Sequence, residues 1–444
     1  MSDMHIGKAI SPAQWLVGGF AVLTIIGAVL LMLPYATTNQ QGLVFLDALF
    51  MSASAVCVTG LAVVTPQTDL SRFGQTVLLV LVQIGGIGFM TIASMMAVLL
   101  GRRITIRDRL LLKEALNQHS IDGIVRLVIA IVIATLAIEL VGGLILAVEF
   151  MPFMDGGTAL YFGFFHAVSA FNNAGFDLFG NSMVGFQANG IVQITIALLF
   201  LVGGLGYIVI LNMIETRGQF VSMSLHTKLV LMTSGVLLVS ATIIIWLLEH
   251  QRFAAQGMPF AMQWLNSFFQ GATVRTAGFN SVDLTVLGDG TVYLMMFLMF
   301  VGASPGSTGG GIKTTTTAVA VLLVYQLIRG RSEIMVFKRT ITSDFVIKSF
   351  VLIMLSVTMV IISTFVLTLT ESIDFLPLLF ESVSAFATVG LSLGITSDLS
   401  PIGKLMVIIT MFAGRVGPLT LFFAMSNHAQ PSGYRYPEDK IMIG

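Results

Sequence analysis

The sequence predicts an all-α integral membrane protein with eight transmembrane helices and four re-entrant pore helices, arranged as a fourfold pseudo-repeat of a two-span unit. Three observations predict this fold. The chain of 444 residues is 56% hydrophobic and only 10% charged, whereas soluble domains carry about 25% charged residues. Its apolar residues fall in blocks long enough to cross a hydrocarbon core roughly 30 Å thick. Shorter apolar blocks alternate with the long ones.

Eight blocks have the length of a full span. They cover 13–34, 74–100, 124–148, 190–214, 227–248, 289–328, 345–369 and 400–425. The four shorter blocks cover 43–56, 158–171, 259–274 and 375–387. Apolar runs of about 10–14 residues are typical of re-entrant or buried segments. We therefore divide the chain into repeats at 1–101, 122–216, 225–330 and 343–430, followed by a C-terminal tail at 431–444.

Basic residues predict the orientation. Most of them lie in the connections between repeats, around 102–126, 217–228 and 329–348, and near the two ends of the chain. Because cytoplasmic loops are enriched in Lys and Arg, we expect these connections and both termini to be cytoplasmic.

Acidic residues are concentrated on the opposite side. They either raise the cation concentration at a pore mouth or are ordinary charges of solvated loops, and the sequence leaves both readings open. The residues are Asp69, Glu149, Asp155, Asp177, Glu249, Asp283, Asp289, Glu371, Asp374 and Asp398.

Each short block is followed by one glycine, and a phenylalanine precedes each glycine at a fixed distance. Glycine adopts positive φ without a Cβ clash, and irregular backbone survives at membrane depth where it lines a watery cavity. Four such loops can present rings of carbonyl oxygens that replace the hydration shell of a cation. The candidate filter residues, which would bind the ion, are Val58, Thr59, Gly60, Asn173, Ala174, Gly175, Thr276, Ala277, Gly278, Thr388, Val389 and Gly390.

The sixth long block is interrupted by the run Gly302–Gly311, which contains Pro305. Proline removes a helical donor, and each interior glycine costs about 1 kcal/mol, so we expect this span to break. Lys313 beside the break needs a partner or water. Two other glycine clusters, Gly85–Gly88 and Gly203–Gly206, indicate close helix packing through small residues.

Other classes of protein fit the sequence poorly. A phosphate-binding loop at Gly306–Thr314 is disfavoured because Ile312 intrudes before Lys313. The six histidines show no metal-ligand spacing, so we expect no enzyme. We also expect no organic cofactor in this chain and no nucleic-acid partner. A solute symporter with inverted repeats is disfavoured because these repeats are parallel. We assign no function to Glu139, and we expect His166 and Glu381 to position helices.

Seven sequence runs carry a family resemblance: AVCVTGLAVV, HAVSAFNNAGF, VRTAGFNSVDL, GASPGSTGGGIKT, SAFATVGLSLGIT, GRVGPLT and the ending YRYPEDKIMIG. The chain resembles the Trk/Ktr/HKT superfamily of cation transporters, and most closely the bacterial Ktr-type membrane subunits (KtrB). The resemblance implies four fused copies of a potassium-channel unit that take up potassium through the filter residues. It associates Gly60 with potassium selectivity, since sodium-selective relatives tend to have serine there. A sodium-selective or sodium-coupled transporter of the same superfamily is the alternative.

The resemblance also implies a gate, in which an intramembrane loop obstructs the pore below the filter and moves during opening. The gate residues would be Gly306, Gly309, Gly310, Gly311, Lys313 and Arg415. Arg415 would line the path below the filter, or alternatively anchor carbonyl groups of the broken span.

The implied setting is a bacterial inner or plasma membrane. The chain would be a homodimer in membrane lipid, with the tail Tyr434–Gly444 at the dimer contact and a cytoplasmic KtrA-like ring that binds ATP or ADP. The basic connections Arg102–Lys113 and Arg329–Arg339 are candidate docking surfaces for that ring. Sodium as a coupling ion stays open.

Overall fold

A computed structural model describes residues 11–99, 110, 112, 123–331 and 333–425. The predicted tail at 431–444 and most of the basic connection at 102–113 lie outside these described residues. The described helices are α1 (Pro12–Leu31), α2 (Phe45–Val56), α3 (Arg72–Ile87), α4 (Phe89–Leu99), α5 (Ile124–Phe150), α6 (Gly156–Phe171), α7 (Gly190–Leu205), α8 (Tyr207–Glu215), α9 (Leu225–Ala255), α10 (Phe260–Thr273), α11 (Asp289–Phe300), α12 (Thr314–Ile328), α13 (Ser343–Thr370), α14 (Phe375–Ala387), α15 (Pro401–Val416) and α16 (Pro418–Met425).

Four helices in the described part of the chain are by themselves long and apolar enough to cross a membrane: α1, α5, α9 and α13. A fifth candidate is the pair α7 and α8, which is bent by 91°. The long helices expose large apolar side chains, such as Ile133, Val141 and Val236. Apolar surface of this extent indicates contact with lipid rather than water.

The helix that follows each short helix is split in two. Gly88, Gly206 and Gly417 separate α3 from α4, α7 from α8 and α15 from α16, with φ of 90°, 94° and 91°. Such φ values are incompatible with a continuing helix and are tolerated by glycine. These three splits lie within the predicted spans 74–100, 190–214 and 400–425 and were not expected from the sequence, whereas the break in 289–328 occurs as predicted, between α11 and α12.

A two-stranded antiparallel hairpin lies in the basic connection before α13, so the purely α-helical prediction is wrong there. Its strands are β1 (Ile334–Val336) and β2 (Arg339–Ile341). The turn residues Phe337 and Lys338 both have positive φ, 49° and 62°, the combination that suits the twist of a two-residue hairpin.

The short helices α2, α6, α10 and α14 are held against the long helices by close backbone contacts. A Cβ added at Gly163 in α6 would lie 2.6 Å from the Ala147 nitrogen of α5, and one at Gly271 in α10 would lie 2.9 Å from the Thr242 nitrogen of α9. Large aromatic side chains such as Phe50 and Phe380 are fully buried in the short helices. This packing holds the short helices close to the backbones of the long ones.

Carboxylates near the C-terminal ends of three long helices bind the starts of later helices. Glu149 accepts from Asn189 Nδ2 at 2.8 Å, Glu249 from the Gly288 nitrogen at 3.0 Å and Glu371 from the Ser400 nitrogen at 3.0 Å. Asn189, Gly288 and Ser400 are the N-cap residues of α7, α11 and α15, where negative charge is favourable. Asp155 similarly caps α6, and its hydrogen bond from the Thr158 nitrogen lowers the pKa of the Asp155 carboxyl.

Candidate ion pathway

The four filter glycines lie side by side in a closed ring. A Cβ added at Gly60 would overlap the carbonyl oxygen of Ala174, in the second loop. One at Gly175 would lie 3.1 Å from the Ala277 oxygen in the third loop, and one at Gly278 would lie 2.5 Å from the Val389 oxygen in the fourth. The ring closes because a Cβ at Gly390 would overlap the Thr59 oxygen of the first loop. The loops therefore surround a common axis with no space for side chains at the glycines.

Backbone hydrogen bonds orient the carbonyl groups of this ring. In each loop, the residue before the glycine donates its N–H to a carbonyl of the preceding short helix: Thr59 to Ser54 at 2.8 Å, Ala174 to Ser169 at 2.7 Å, Ala277 to Thr273 at 3.0 Å and Val389 to Ser384 at 2.9 Å. With the N–H groups bound on the helix side, the carbonyl oxygens of the same residues are the groups found beside the neighbouring glycines.

The residue two positions before each glycine has a left-handed backbone. Its φ is 56° at Val58, 59° at Asn173, 66° at Thr276 and 52° at Thr388. For β-branched residues this conformation is a genuine outlier, and such strain, of order 1–3 kcal/mol per residue, concentrates at functional sites. The alternation of positive and negative φ was not evident in the sequence because valine and threonine normally avoid φ > 0.

All four glycines line one vestibule of about 410 Å³. Of the ten acidic residues that the sequence places outside, two line this vestibule, Asp177 and Asp283. Glu149, Glu249 and Glu371 are engaged at helix N-termini instead, and Asp47, which the sequence analysis did not single out, binds Lys404 at 2.7 Å. The structure thus gives Glu149, Glu249 and Glu371 contacts at helix N-termini and puts Asp177 and Asp283 at the vestibule.

The run between α11 and α12 lies directly against the candidate filter loops. The Gly310 nitrogen donates to Thr388 Oγ1 at 3.0 Å, and Thr308 Oγ1 donates to Asn173 Oδ1 at 2.8 Å. A Cβ added at Gly309 would overlap Thr276 Oγ1. The loop thus contacts the innermost residues of three filter loops, and only glycine fits at the contact.

Two basic side chains hold this loop. Lys313 Nζ donates to the Gly309 oxygen at 2.7 Å. Arg415 donates to the oxygens of Thr308 and Gly85, and to that of Gly86 at 3.3 Å. These contacts match the alternative that Arg415 anchors carbonyls of the broken span. They also leave two cationic groups close to the region below the filter.

Gly306 stands apart from the other candidate gate residues. Its carbonyl accepts from the Tyr207 nitrogen at 3.0 Å, at the first residue of α8. The loop is also tied to α7, because Ser304 and Thr308 donate N–H groups to the oxygens of Gly204 and Gly203 at 3.1 and 3.3 Å. The break at Gly206 frees the start of α8 for the Gly306 contact. Thr308 belongs to no motif of its own, so the sequence did not indicate its two contacts.

The glycine clusters of the split helices bring those helices against the ends of the short helices. A Cβ at Gly85, Gly203 or Gly414 would overlap the carbonyl oxygen of Val56, Phe171 or Phe386, respectively. Close packing was predicted for the first two clusters, and these contacts confirm it. The third residue after each of these glycines is the break, a repeating signal that the sequence contained.

Three further buried polar side chains, His166, Glu381 and Glu139, make hydrogen bonds next to the candidate filter loops. His166 Nε2 accepts from the Leu178 nitrogen at 3.2 Å, and Glu381 Oε1 accepts from Thr396 Oγ1 at 2.6 Å. Both contacts join a short helix to the segment after its filter loop, which confirms the expected positioning role. Glu139 accepts from Gln83 Nε2 at 3.0 Å and from Asn172 Nδ2 at 2.9 Å.

Comparison with known proteins gives one consistent result. The family model described as TrkH, cation transport protein, matches residues 12–435. The Ktr system potassium uptake protein B of Bacillus subtilis is 41% identical over 98% of this chain and 97% of its own length. The protein of that name from Vibrio alginolyticus is 41% identical over 94% of this chain and 91% of its own. The potassium/sodium uptake protein NtpJ of Enterococcus hirae is 35% identical over 99% of both.

A solved structure matches the fold over almost the whole chain. The potassium transporter TrkH from Vibrio parahaemolyticus superimposes with a TM-score of 0.73, at 17% identity, over 98% of this chain and 88% of that one. At this low identity, the structural match shows a shared fold alone. The family match and the relatives above 30% identity show membership, as the resemblance predicted: the chain belongs to the TrkH family of cation transport proteins.

Proposed function

We propose that this protein takes up potassium ions across the cell membrane through a filter formed by its four glycine loops. The observation that carries the proposal is the closed ring, in which each filter glycine lies beside the carbonyl oxygen of the next loop. Rings of backbone carbonyls replace the hydration shell of potassium in selective pores. The relatives named as potassium uptake proteins support the same ion.

The filter residues in this proposal are the twelve that the sequence indicates, three from each loop. Each loop follows a short helix, and each short helix lies between a long helix and a split one. We infer that each long and each split helix crosses the membrane, which makes eight spans in four pseudo-repeats at 1–101, 122–216, 225–330 and 343–430. The short helices would be re-entrant, with both termini cytoplasmic.

The gate in this proposal is the loop from Gly302 to Lys313. It lies against Asn173, Thr276 and Thr388 at the inner end of the filter, where it would block the path of an ion. Arg415 and Lys313 would stabilise the blocked state by holding carbonyls of the loop, and their charges would oppose the passage of a cation. Opening requires the loop to move away from the filter.

The proposed setting is the plasma membrane of a bacterium, where two copies would pair and bind a cytoplasmic ring of KtrA-like subunits. Relatives named as parts of a Ktr system support a separate regulatory partner. A nucleotide on that ring would shift the gate only by binding one state of the assembly better than the other. The hairpin Ile334–Ile341 presents exposed Lys338 and Arg339 as a docking surface.

Sodium dependence is the second candidate, supported by the relative named as a potassium/sodium uptake protein. Sodium would be a coupling ion or, in the alternative, the transported ion. The test is uptake in a potassium-auxotrophic cell, with sodium present and with sodium replaced by choline. Growth at low potassium in both media supports potassium uptake alone, and growth only with sodium supports coupling. Failure to grow in either medium, with the protein present in the membrane, would contradict potassium uptake.

A further inference from the structure

A buried carboxylate without a basic partner lies beside the second filter loop. Glu139, in the middle of α5, is 3% exposed and accepts hydrogen bonds from Gln83 Nε2 of α3 at 3.0 Å and from Asn172 Nδ2 at 2.9 Å. None of the ion pairs among the described residues includes this group. An unpaired charge at such a depth is unfavourable, and binding a proton neutralises it.

Two buried hydroxyl groups lie next to this carboxylate. Thr135 precedes Glu139 by one helical turn and therefore lies on the same face of α5. The hydroxyl of Tyr207, the first residue of α8, is close to that of Thr135 and within electrostatic reach of Glu139, yet neither hydroxyl forms a hydrogen bond of normal geometry. A hydroxyl accepts from a protonated carboxyl group and donates to an ionised one. The site can therefore hold Glu139 in either form.

The polar cluster is not required by the fold, as comparison of the repeats indicates. At the position of Gln83, two residues before a packing glycine, the second and fourth repeats have Leu201 and Phe412. At the position of Asn172, three residues before a filter glycine, the fourth repeat has Ala387. Because the same helices and loops form with apolar side chains at these positions, the packing alone does not explain the cluster.

The cluster is joined to the filter and to the gate loop through two of its members. Asn172 directly precedes the filter residue Asn173, whose Oδ1 accepts from Thr308 Oγ1 at 2.8 Å. The backbone nitrogen of Tyr207 donates to the Gly306 oxygen at 3.0 Å. A hydrogen bond to a charged acceptor is roughly twice as strong as one to a neutral acceptor, so the charge of the carboxylate determines how firmly Asn172 is held.

The elements packed around this carboxylate place few other titratable groups beside it. Helices α4 and α7 have none, and α3 and the end of α6 present the amides of Gln83 and Asn172. His166 of α6 is engaged elsewhere, at the segment after the filter loop. Helix α8 contributes the Tyr207 phenol, and Arg415 of α15 acts on that phenol while it donates to a carbonyl of α3. Tyr207 is therefore the group whose titration the experiment has to separate from that of the carboxyl.

We propose that Glu139 is a proton-binding site inside the membrane, and that loss of its proton favours the passage of potassium. This inference rests on the proposed uptake function. On ionisation the proton passes to water and the electron pair stays on the carboxylate. The ionised group holds Asn172, and with it the second filter loop, more firmly, and it adds a negative charge near the path of a cation. Protonation at low pH removes both effects.

The experiment measures rubidium uptake by proteoliposomes of the full-length chain from about pH 6 to about pH 9, which covers the values documented for buried carboxyl groups. The pH is the same on both sides of the membrane. Uptake by the wild type should rise by about threefold or more with pH, because a new negative charge lowers the energy of a nearby cation. Glu139→Gln should stay at the low-pH rate throughout. Tyr207→Phe should keep the rise, which assigns it to the carboxyl group.

Two further measurements support the assignment independently of the uptake rate. Infrared difference spectra between the two ends of the pH range should show the loss of the carbonyl stretch of a protonated carboxyl group, and this signal should be absent in Glu139→Gln. Gln83→Leu, with the residue type of the second repeat, removes one donor to the ionised form. The midpoint of its uptake profile should therefore move to higher pH by about one unit, and this variant carries the test if Glu139→Gln fails to fold.

The outcomes separate this inference from the proposed function. Uptake that is independent of pH in the wild type, or a rise that Glu139→Gln retains, would overturn the inference and leave potassium uptake as proposed. An infrared signal that persists in Glu139→Gln, or an unmoved midpoint in Gln83→Leu, would also count against it. Absence of rubidium uptake at every pH, with the protein present in the membrane, would contradict the proposed function itself.

Discussion

Replacing Gly60 by serine perturbs the filter at a position where the structure leaves no freedom. Gly60 has φ of 93°, and an added Cβ would overlap the carbonyl oxygen of Ala174. A non-glycine residue in such a conformation costs about 1–3 kcal/mol, and the overlap is relieved only if one of the two loops moves. Movement displaces a carbonyl that the proposed filter uses to bind the ion. A loss of only 1.4 kcal/mol from the discrimination between two ions is tenfold in relative affinity, so we expect Gly60→Ser to lower potassium-over-sodium preference by about tenfold or more.

The assay is competition of sodium with rubidium uptake in proteoliposomes, with protein amounts matched by quantitative blotting. Gly394→Ser is the control, because Gly394 has nearly the same φ, 89°, but nothing within 4 Å of an added Cβ. It carries the same backbone strain in the loop after the fourth filter without the clash. The reasoning is refuted if Gly60→Ser keeps the preference of the wild type, or if Gly394→Ser loses as much.

Three further changes test the gate and the packing. Gly310→Ala should raise rubidium flux, because the new methyl group would overlap Thr388 Oγ1 and push the gate loop away. Gly290→Ala is the control and should leave flux unchanged, since its methyl group meets no other atom. Equal flux in the two variants would count against the gate. Arg415→Gln should also raise flux, because it removes a positive charge and the anchor of the loop, and unchanged flux would assign Arg415 a purely structural role. Glu249→Gln should destabilise the protein by about 1–3 kcal/mol, since this buried carboxylate accepts from several donors, and an unaltered melting temperature in detergent would contradict that.

The sequence predicted the arrangement of helices well because membrane burial imposes long apolar blocks. The predicted blocks at 124–148 and 345–369 correspond to helices Ile124–Phe150 and Ser343–Thr370. The four short blocks were recovered with similar accuracy. Their ends were signalled by glycine, which marks positive φ in a way that hydrophobicity does not.

The splits in three of the later helices were not predicted, since the glycines before Gly88 and Gly206 were interpreted as close helix packing rather than as helix breaks. Tertiary contacts determine where these helices break. The glycines three positions before each break pack on carbonyls of the short helices, and the chain then turns. The hairpin at Ile334–Ile341 was missed because its strands are only three residues each. Its turn uses Phe337 and Lys338 rather than the glycine or asparagine that signals such turns.

The sequence indicated the candidate filter residues one by one, but it did not indicate the contacts among them. Sequence spacing indicated four equivalent loops, and it could not reveal that Thr276 and Thr388 face Gly309 and Gly310. That pairing joins residues far apart in the chain. For the acidic residues, the sequence indicated a shared location but not the contacts. Glu249 and Glu371 were candidates for a pore mouth, and the structure shows that they bind helix N-termini.

The most direct test of the central claim is the location of a bound ion. Crystals or frozen grids of the protein in rubidium chloride would show, by anomalous scattering or by density differences against a choline preparation, where the cation lies. The account predicts density on the axis between the carbonyl oxygens of Thr59, Ala174, Ala277 and Val389, and its loss in Gly60→Ser. Well-resolved loops with no ion on that axis, or an ion bound away from the four glycines, would contradict it.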